Sequence, residues 1–189
     1  MTVAEVLKLA VLYMGEPDLE KTTTLGGTET PSEQQTEKLN RLLTCVNDTV
    51  QTLALMYFPL KKEESVENPS GQVNFSNLTR KVCDIVKIID KHGFDADFTS
   101  FPTYFETIKG KLRVIYNFIP EYVYNFTDSI EIAMDKVNLR LVALGVVSRY
   151  FLISGMYTDA QAWENMFERA ILVAQGTRKS KTIKKRRWL

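Results

Sequence analysis

The chain has 189 residues, 44% hydrophobic and 25% charged, and a formal net charge of +1. A chain of this length buries about two-thirds of its unfolded surface, so it needs no disulfide or metal staple. Its two cysteines, Cys45 and Cys83, form no C-x-x-C pair and its one histidine is His92, too few nitrogen and sulfur ligands at the right spacing for zinc.

In chain order, Thr2-Val3-Ala4-Glu5 has the form of a capping box. Val3, Val6, Leu7, Ala10, Val11 and Met14 follow helical spacing to Gly15, a natural stop. Met1–Met14 lacks the basic start and cleavage site of a signal peptide and reads as an amphipathic helix. Pro17 to Thr30 is rich in Thr and Gly without an apolar period, which predicts an exposed loop. A second helix is expected from Thr30 as cap, Pro31 at the first position and Glu33 completing the box. Its stripe is Leu39, Leu42, Leu43, Val46, Val50, Leu53, Ala54 and Tyr57, and Pro59 stops it. About 27 residues at 1.5 Å each give about 40 Å, long for a small domain.

From Leu60 to Thr127 the period changes to two. Val73 and Phe75 alternate with polar neighbours, Val82 to Ile89 is a β-branched run, and Lys91-His92-Gly93 reads as a hairpin turn. Phe94, Ala96 and Phe98 alternate, Lys109-Gly110-Lys111 is another turn, and Leu112, Val114, Tyr116 and Phe118 share one face of a strand ended by Pro120. An antiparallel sheet or small sandwich follows. Helix returns at Asp128-Ser129-Ile130-Glu131, again with capping-box spacing, and runs through Met134, Val137, Leu141, Leu144 and Phe151 to Gly155. From Ala143 to Ile153 it is apolar nearly all round, so it should be surrounded. Leu139–Gly155, the longest apolar stretch, contains Arg140 and Arg149 and is too short to cross about 30 Å of hydrocarbon. No membrane association is expected, and the chain reads as a soluble protein made in a reducing compartment, both thiols buried and reduced. A last helix over about Thr158–Gln175 shows Trp163, Met166, Phe167, Ala170, Ile171 and Ala174.

The fold class is therefore α+β: a mainly helical bundle with an inserted small antiparallel β module and an extended basic C-terminal arm. Residues 1–59 and 128–176 are the two parts of the bundle, 60–127 the β module and 177–189 the arm. Leu43, Val46, Val50, Val137, Leu141, Leu144 and Phe167 are the expected shared core.

No chemistry of a common enzyme class emerges. His92 sits in a predicted turn, no phosphate-cradling glycine loop occurs, and Gly26-Gly27 lies in a Thr-rich loop with no strand before it. The carboxylate sets Glu63/Glu64, Asp95/Asp97 and Asp128/Glu131 are the only candidates for acid–base work. The first borders a strand, the second alternates along one, and the third is explained by capping. The expectation is no enzyme, no catalytic residue, no cofactor and no metal.

Charge is the feature that calls for a function. Seven of the 24 basic residues lie in Arg178–Leu189, which has no acid; the other 17 face 23 acids, so residues 1–177 carry −6. Three readings of the tail stand open: a docking arm, a nucleic-acid contact, or a solvated end. Trp188 beside four consecutive cations, Lys184, Lys185, Arg186 and Arg187, favours docking, because Trp and Arg are the side chains that anchor interfaces.

Three segments carry a family resemblance: Leu42-Leu43 with Cys45-Val46-Asn47 running to Tyr57, Pro59 and Leu60; Tyr150 and Leu152-Ile153-Ser154-Gly155-Met156-Tyr157 with Ala160 and Trp163; and the closing Arg186-Arg187-Trp188. With them the chain resembles small neck proteins of tailed phages and prophages, and its layout is similar to head–tail adaptors of the tail tubular protein A type. The resemblance implies a structural protein of the virion neck, made in the bacterial host cytoplasm. It would form a twelve-membered ring beneath the portal, continue the DNA channel without sequence-specific contact, and seat a downstream tail or nozzle protein. The portal-docking arm would then comprise Arg178, Lys179, Lys184, Lys185, Arg186, Arg187 and Trp188, with residues 60–127 facing the tail. The alternative is a nucleic-acid-binding or assembly accessory protein of a phage.

Overall fold

A computed structural model describes residues 1–176. The chain divides into two compact units, one formed by Met1–Val46 with the described residues from Met134 onward, the other by Asn47–Ala133. The first is helical and the second is built on β-strands, so the α+β class holds.

In the helical unit, α1 (Val3–Met14) forms the expected capping box: the Glu5 N–H donates to Thr2 Oγ1 at 3.3 Å and the Thr2 N–H to Glu5 Oε2 at 2.7 Å. Gly15 ends it at φ 69°, a left-handed position that suits glycine. The buried face of α1 is Val3, Val6, Leu7, Ala10 and Val11. The segment after it is not the exposed loop its composition suggests. It forms a short helix, α2 (Pro17–Glu20), and a 3₁₀ turn over Thr23–Leu25, and it buries Leu19, Thr22 and Leu25. Thr22 is satisfied there by donating its hydroxyl to the Leu19 carbonyl at 2.7 Å.

Helix α3 (Glu33–Thr52) starts later than the Thr30/Pro31/Glu33 reading places it. The reciprocal cap is Ser32 with Gln35: the Gln35 N–H donates to Ser32 Oγ at 3.3 Å and the Ser32 N–H to Gln35 Oε1 at 2.8 Å. Its buried Leu39, Leu42 and Val46 fall in the helical unit, whereas Val50, Leu53 and Ala54 fall in the second. A π-helical turn over Leu53–Tyr57 widens its end before Pro59.

Helix α4 (Leu139–Ile153) begins eleven residues after Asp128, with the Leu141 N–H donating to Asn138 Oδ1 at 2.9 Å. The box expected at Asp128-Ser129-Ile130-Glu131 is not a helix start. Asp128 instead accepts from the Tyr124 and Asn125 N–H groups at 3.0 and 2.8 Å, closing a turn, and Glu131 pairs with Arg80. Leu141 to Ser148 and Tyr150 are buried, as expected of a surrounded helix, but Leu152 and Ile153 are each 54% exposed. Gly155 turns the chain into α5 (Tyr157–Gly176). α1 packs on α4 and α4 on α5, with Tyr13 stacked on Trp163 at 5.6 Å between ring centres. The expected core is thus divided: Val46, Val137, Leu141, Leu144 and Phe167 are buried in the helical unit, Val50 is buried in the other, and Leu43 is only half-buried.

The second unit holds two three-stranded antiparallel sheets. One has the order β1 (Leu60–Asn68), β6 (Gly110–Phe118), β3 (Val82–Ile89); the other β2 (Gln72–Asn74), β5 (Tyr104–Thr107), β4 (Phe98–Ser100). Both contribute to one cluster of Val73, Leu78, Ile85, Ile88, Phe105, Leu112, Val114 and Tyr116. At the turn expected around Lys109-Gly110 the chain passes from β5 in one sheet to β6 in the other, with Gly110 at φ 123°. Strand β3 is irregular near Cys83, and that thiol is exposed while Cys45 is buried, correcting the expectation of two buried thiols.

The irregular chain after β6 is held by two side-chain amides of this unit. Asn47 Nδ2 donates to the Val123 carbonyl at 2.9 Å and its Oδ1 accepts from the Val123 N–H at 2.8 Å, while Gln51 Nε2 donates to the Pro120 carbonyl at 2.7 Å. Asn47→Ala removes both bonds to Val123 and leaves two backbone groups to find water. We expect it to lower the unfolding free energy by about 1–3 kcal/mol, read from the midpoint of urea denaturation.

Candidate interaction surfaces

The residues with the greatest chemical potential in sequence do not converge. Glu63 and Glu64 lie on opposite faces of β1: Glu63 points outward to Arg113 at 3.0 Å, and Glu64 points inward. Asp95 pairs with Lys87 at 2.7 Å, and Asp97 is exposed, its main-chain carbonyl accepting from the Thr107 hydroxyl. Asp128 closes its turn and Glu131 pairs with Arg80. His92 is exposed, its backbone N–H donating to Asp90 Oδ1 at 2.8 Å. Among the described residues, no group of three or more His, Cys, Asp and Glu is placed to hold a metal ion, and no helix is long and apolar enough to cross a membrane.

Glu64 is the most constrained carboxylate. It accepts from the Tyr116 hydroxyl at 2.7 Å, the Thr79 N–H at 3.1 Å and the Thr79 hydroxyl, and it pairs with Lys62 at 2.9 Å. Burial by itself would raise its pKa. The Thr79 hydroxyl, Lys62, Tyr116 and the Thr79 N–H outweigh burial and lower it to about 2. The Tyr116 hydroxyl is pushed up in turn, by burial and then by the carboxylate it donates to. Every partner of Glu64 is a structural group of the same unit, so the cluster pins β1 and Thr79 to β6. Arg80 does a similar task beside it, pairing with Glu121 at 3.4 Å and with Glu131 while lying 4.8 Å from the centre of the Phe118 ring.

The surface that stands out is on the α4–α5 hairpin. Leu152, Ile153, Met156 and Tyr157 are all exposed around the Gly155 turn. At the other end of the hairpin a groove of about 530 Å³ opens between the start of α4 and the end of α5. Its floor includes Leu141 and Leu144, both buried, with Ala170; Met166 and Val173, 42% and 69% exposed, form its α5 wall. Lys136, Arg140 and Arg169 also line it, and among the described residues no acidic side chain does.

Sequence reading missed this groove because it placed Met166 and Ala170 on the core stripe with Phe167 and Ile171. Only the latter two are buried. The spacing of Met166, Ala170 and Val173 at i, i+4 and i+7 was the available signal for a second apolar face. The sequence-predicted arm residues, Arg178, Lys179, Lys184, Lys185, Arg186, Arg187 and Trp188, lie outside the described residues. Comparison with protein-family models and with curated proteins gives no match for this chain.

Proposed function

We propose that the chain is a structural component of a phage neck: a head–tail adaptor that forms a ring beneath the portal, continues the DNA channel and seats a tail component. The observation that carries this reading is the order of parts. Helices come first, a two-sheet unit over 47–133 follows, and helices return before the seven-cation tail. That order is the one the family resemblance implies. The exposed apolar side chains of the α4–α5 hairpin suit a protein that works among neighbours. The acidic balance of residues 1–177 suits a wall past which phosphates slide.

In this reading the tail docks on the portal, with Arg186 and Arg187 meeting carboxylates and Trp188 filling a pocket. Deleting residues 178–189 is expected to abolish assembly on a purified portal from the same genome, measured by sedimentation and negative-stain imaging. Added salt should weaken the arginine contribution and leave most of that from Trp188. Undiminished binding by the truncated chain would remove the arm as the dock. The alternative of a nucleic-acid-binding accessory draws on the same cations. Duplex DNA retained by the full chain and lost by the truncated one, with portal binding unchanged, would favour it.

A further inference from the structure

The groove between α4 and α5 combines an apolar floor with a cationic rim that is largely unneutralised among the described residues. Among the described residues neither Arg140 nor Arg169 makes an ion pair, and the acid nearest Lys136 is its own neighbour Asp135 at 3.9 Å. Leaving a face as aliphatic as Met166 and Val173 in water has a cost of about 25 cal/mol per Å² that burial would recover. Like charges gathered around it repel until an anion joins them. Apolar floor and cationic rim together specify the complement: aliphatic side chains flanked by carboxylates. Two helices with a shallow trough between them accept that pattern most readily as a third helix laid along the trough, its anchors at i, i+3 and i+4.

We infer that this groove seats an acidic, amphipathic helical segment of another protein. The inference does not rest on the adaptor reading. The 13 residues that follow Gly176 are the nearest alternative occupant, since α5 ends beside the groove. Their seven cations and absence of acids make them the wrong partner for Lys136, Arg140 and Arg169. A second copy is a weaker fit than a dedicated acidic helix, because the acids of the described residues are dispersed over both units.

The test is selection of helical peptides of about 15 residues, long enough to hold a helix when bound, from a randomised library on the full chain. The strongest recovered peptide is then measured by fluorescence anisotropy against the full chain, the double variant Arg140→Glu/Arg169→Glu, and a chain lacking 178–189. Both arginines are exposed, so the double variant should keep the thermal midpoint of the unaltered chain, which is checked by circular dichroism. The expected result is a strong excess of Asp and Glu with aliphatic residues at helical spacing. Affinity should fall about tenfold or more for the double variant, the size that reversing two rim charges supports, and stay unchanged on tail deletion. Recovered peptides without acidic bias, or binding the double variant equally well, would overturn the inference. So would tighter binding after tail deletion, which would make the tail the occupant. Self-association of the full chain that the double variant dissolves would overturn it in favour of a second copy.

Discussion

Replacing Phe167 by alanine is expected to lower the unfolding free energy by about 3–5 kcal/mol, the largest single effect in the helical unit. The ring sits on α5, 1% exposed, with its neighbours Ala160 and Ile171 on the same buried face. The Arg149 guanidinium of α4 lies 5.2 Å from its centre. Truncation therefore does two things: it opens a cavity between two helices that cannot close without moving, and it removes the aromatic face that a partly buried cation stands on. Phe167→Leu should recover most of the loss, ending within about 1.5 kcal/mol of the original, because it refills the volume but not the π face. Urea titrations of the two variants give both numbers. A loss below about 1 kcal/mol for the alanine variant would mean that α4 and α5 are not held by this contact.

Removing the Glu64 carboxylate is expected to cost about 2–4 kcal/mol, through loss of the hydrogen bonds from Tyr116 and Thr79 and of the pairing with Lys62. The same contacts make the stability depend on acid. A carboxyl whose pKa is about 2 when folded and near 4.5 when unfolded binds fewer protons in the native state through that interval. Its contribution is therefore complete above pH 4.5 and is lost as the pH falls towards 2. Each unit of pKa difference corresponds to about 1.4 kcal/mol, and residual solvent contact reduces what is realised to on the order of 2 kcal/mol. Glu64→Gln should flatten this part of the stability–pH curve and leave the slope above pH 5 unchanged. An unaltered acid limb in the glutamine variant would show that other carboxylates govern acid unfolding.

How much of this was legible in sequence depended on whether one pattern had one physical meaning. α1 was readable to the residue because Thr2, Glu5 and Gly15 bracket a single stripe. α3 was misplaced at its start because Thr30/Glu33 and Ser32/Gln35 both satisfy the reciprocal-cap spacing, and only the chain's path selects between them. Asp128 to Glu131 misled for a related reason: a short acid can close a turn on the N–H groups before it as well as cap a helix through those after it, and Asp128 does the former. Strand β1 was hidden by its own inward face. Lys62 and Glu64 occupy positions where alternation calls for apolar residues, and Tyr116 and Thr79, which make them tolerable there, come from elsewhere in the chain. The groove was hidden because α5 carries two adjoining apolar stripes and sequence does not say which one meets α4.

The order of strands in the β1-β6-β3 sheet, and the packing of α1 on α4, set a schedule for a chain made from its amino end. The middle strand of that sheet is the last of the three to leave the ribosome, so β1 and β3 wait, with neither edge paired to a strand, for β6. Once β6 arrives, the sheet unit has all its strands, while Val3, Val6, Leu7, Ala10 and Val11 of α1 still lack the helix that covers them. Translation thus passes through an interval in which a finished sheet unit travels with an uncovered apolar helix ahead of it, and the hazard of wrong association is concentrated between the emergence of Phe118 and that of α4.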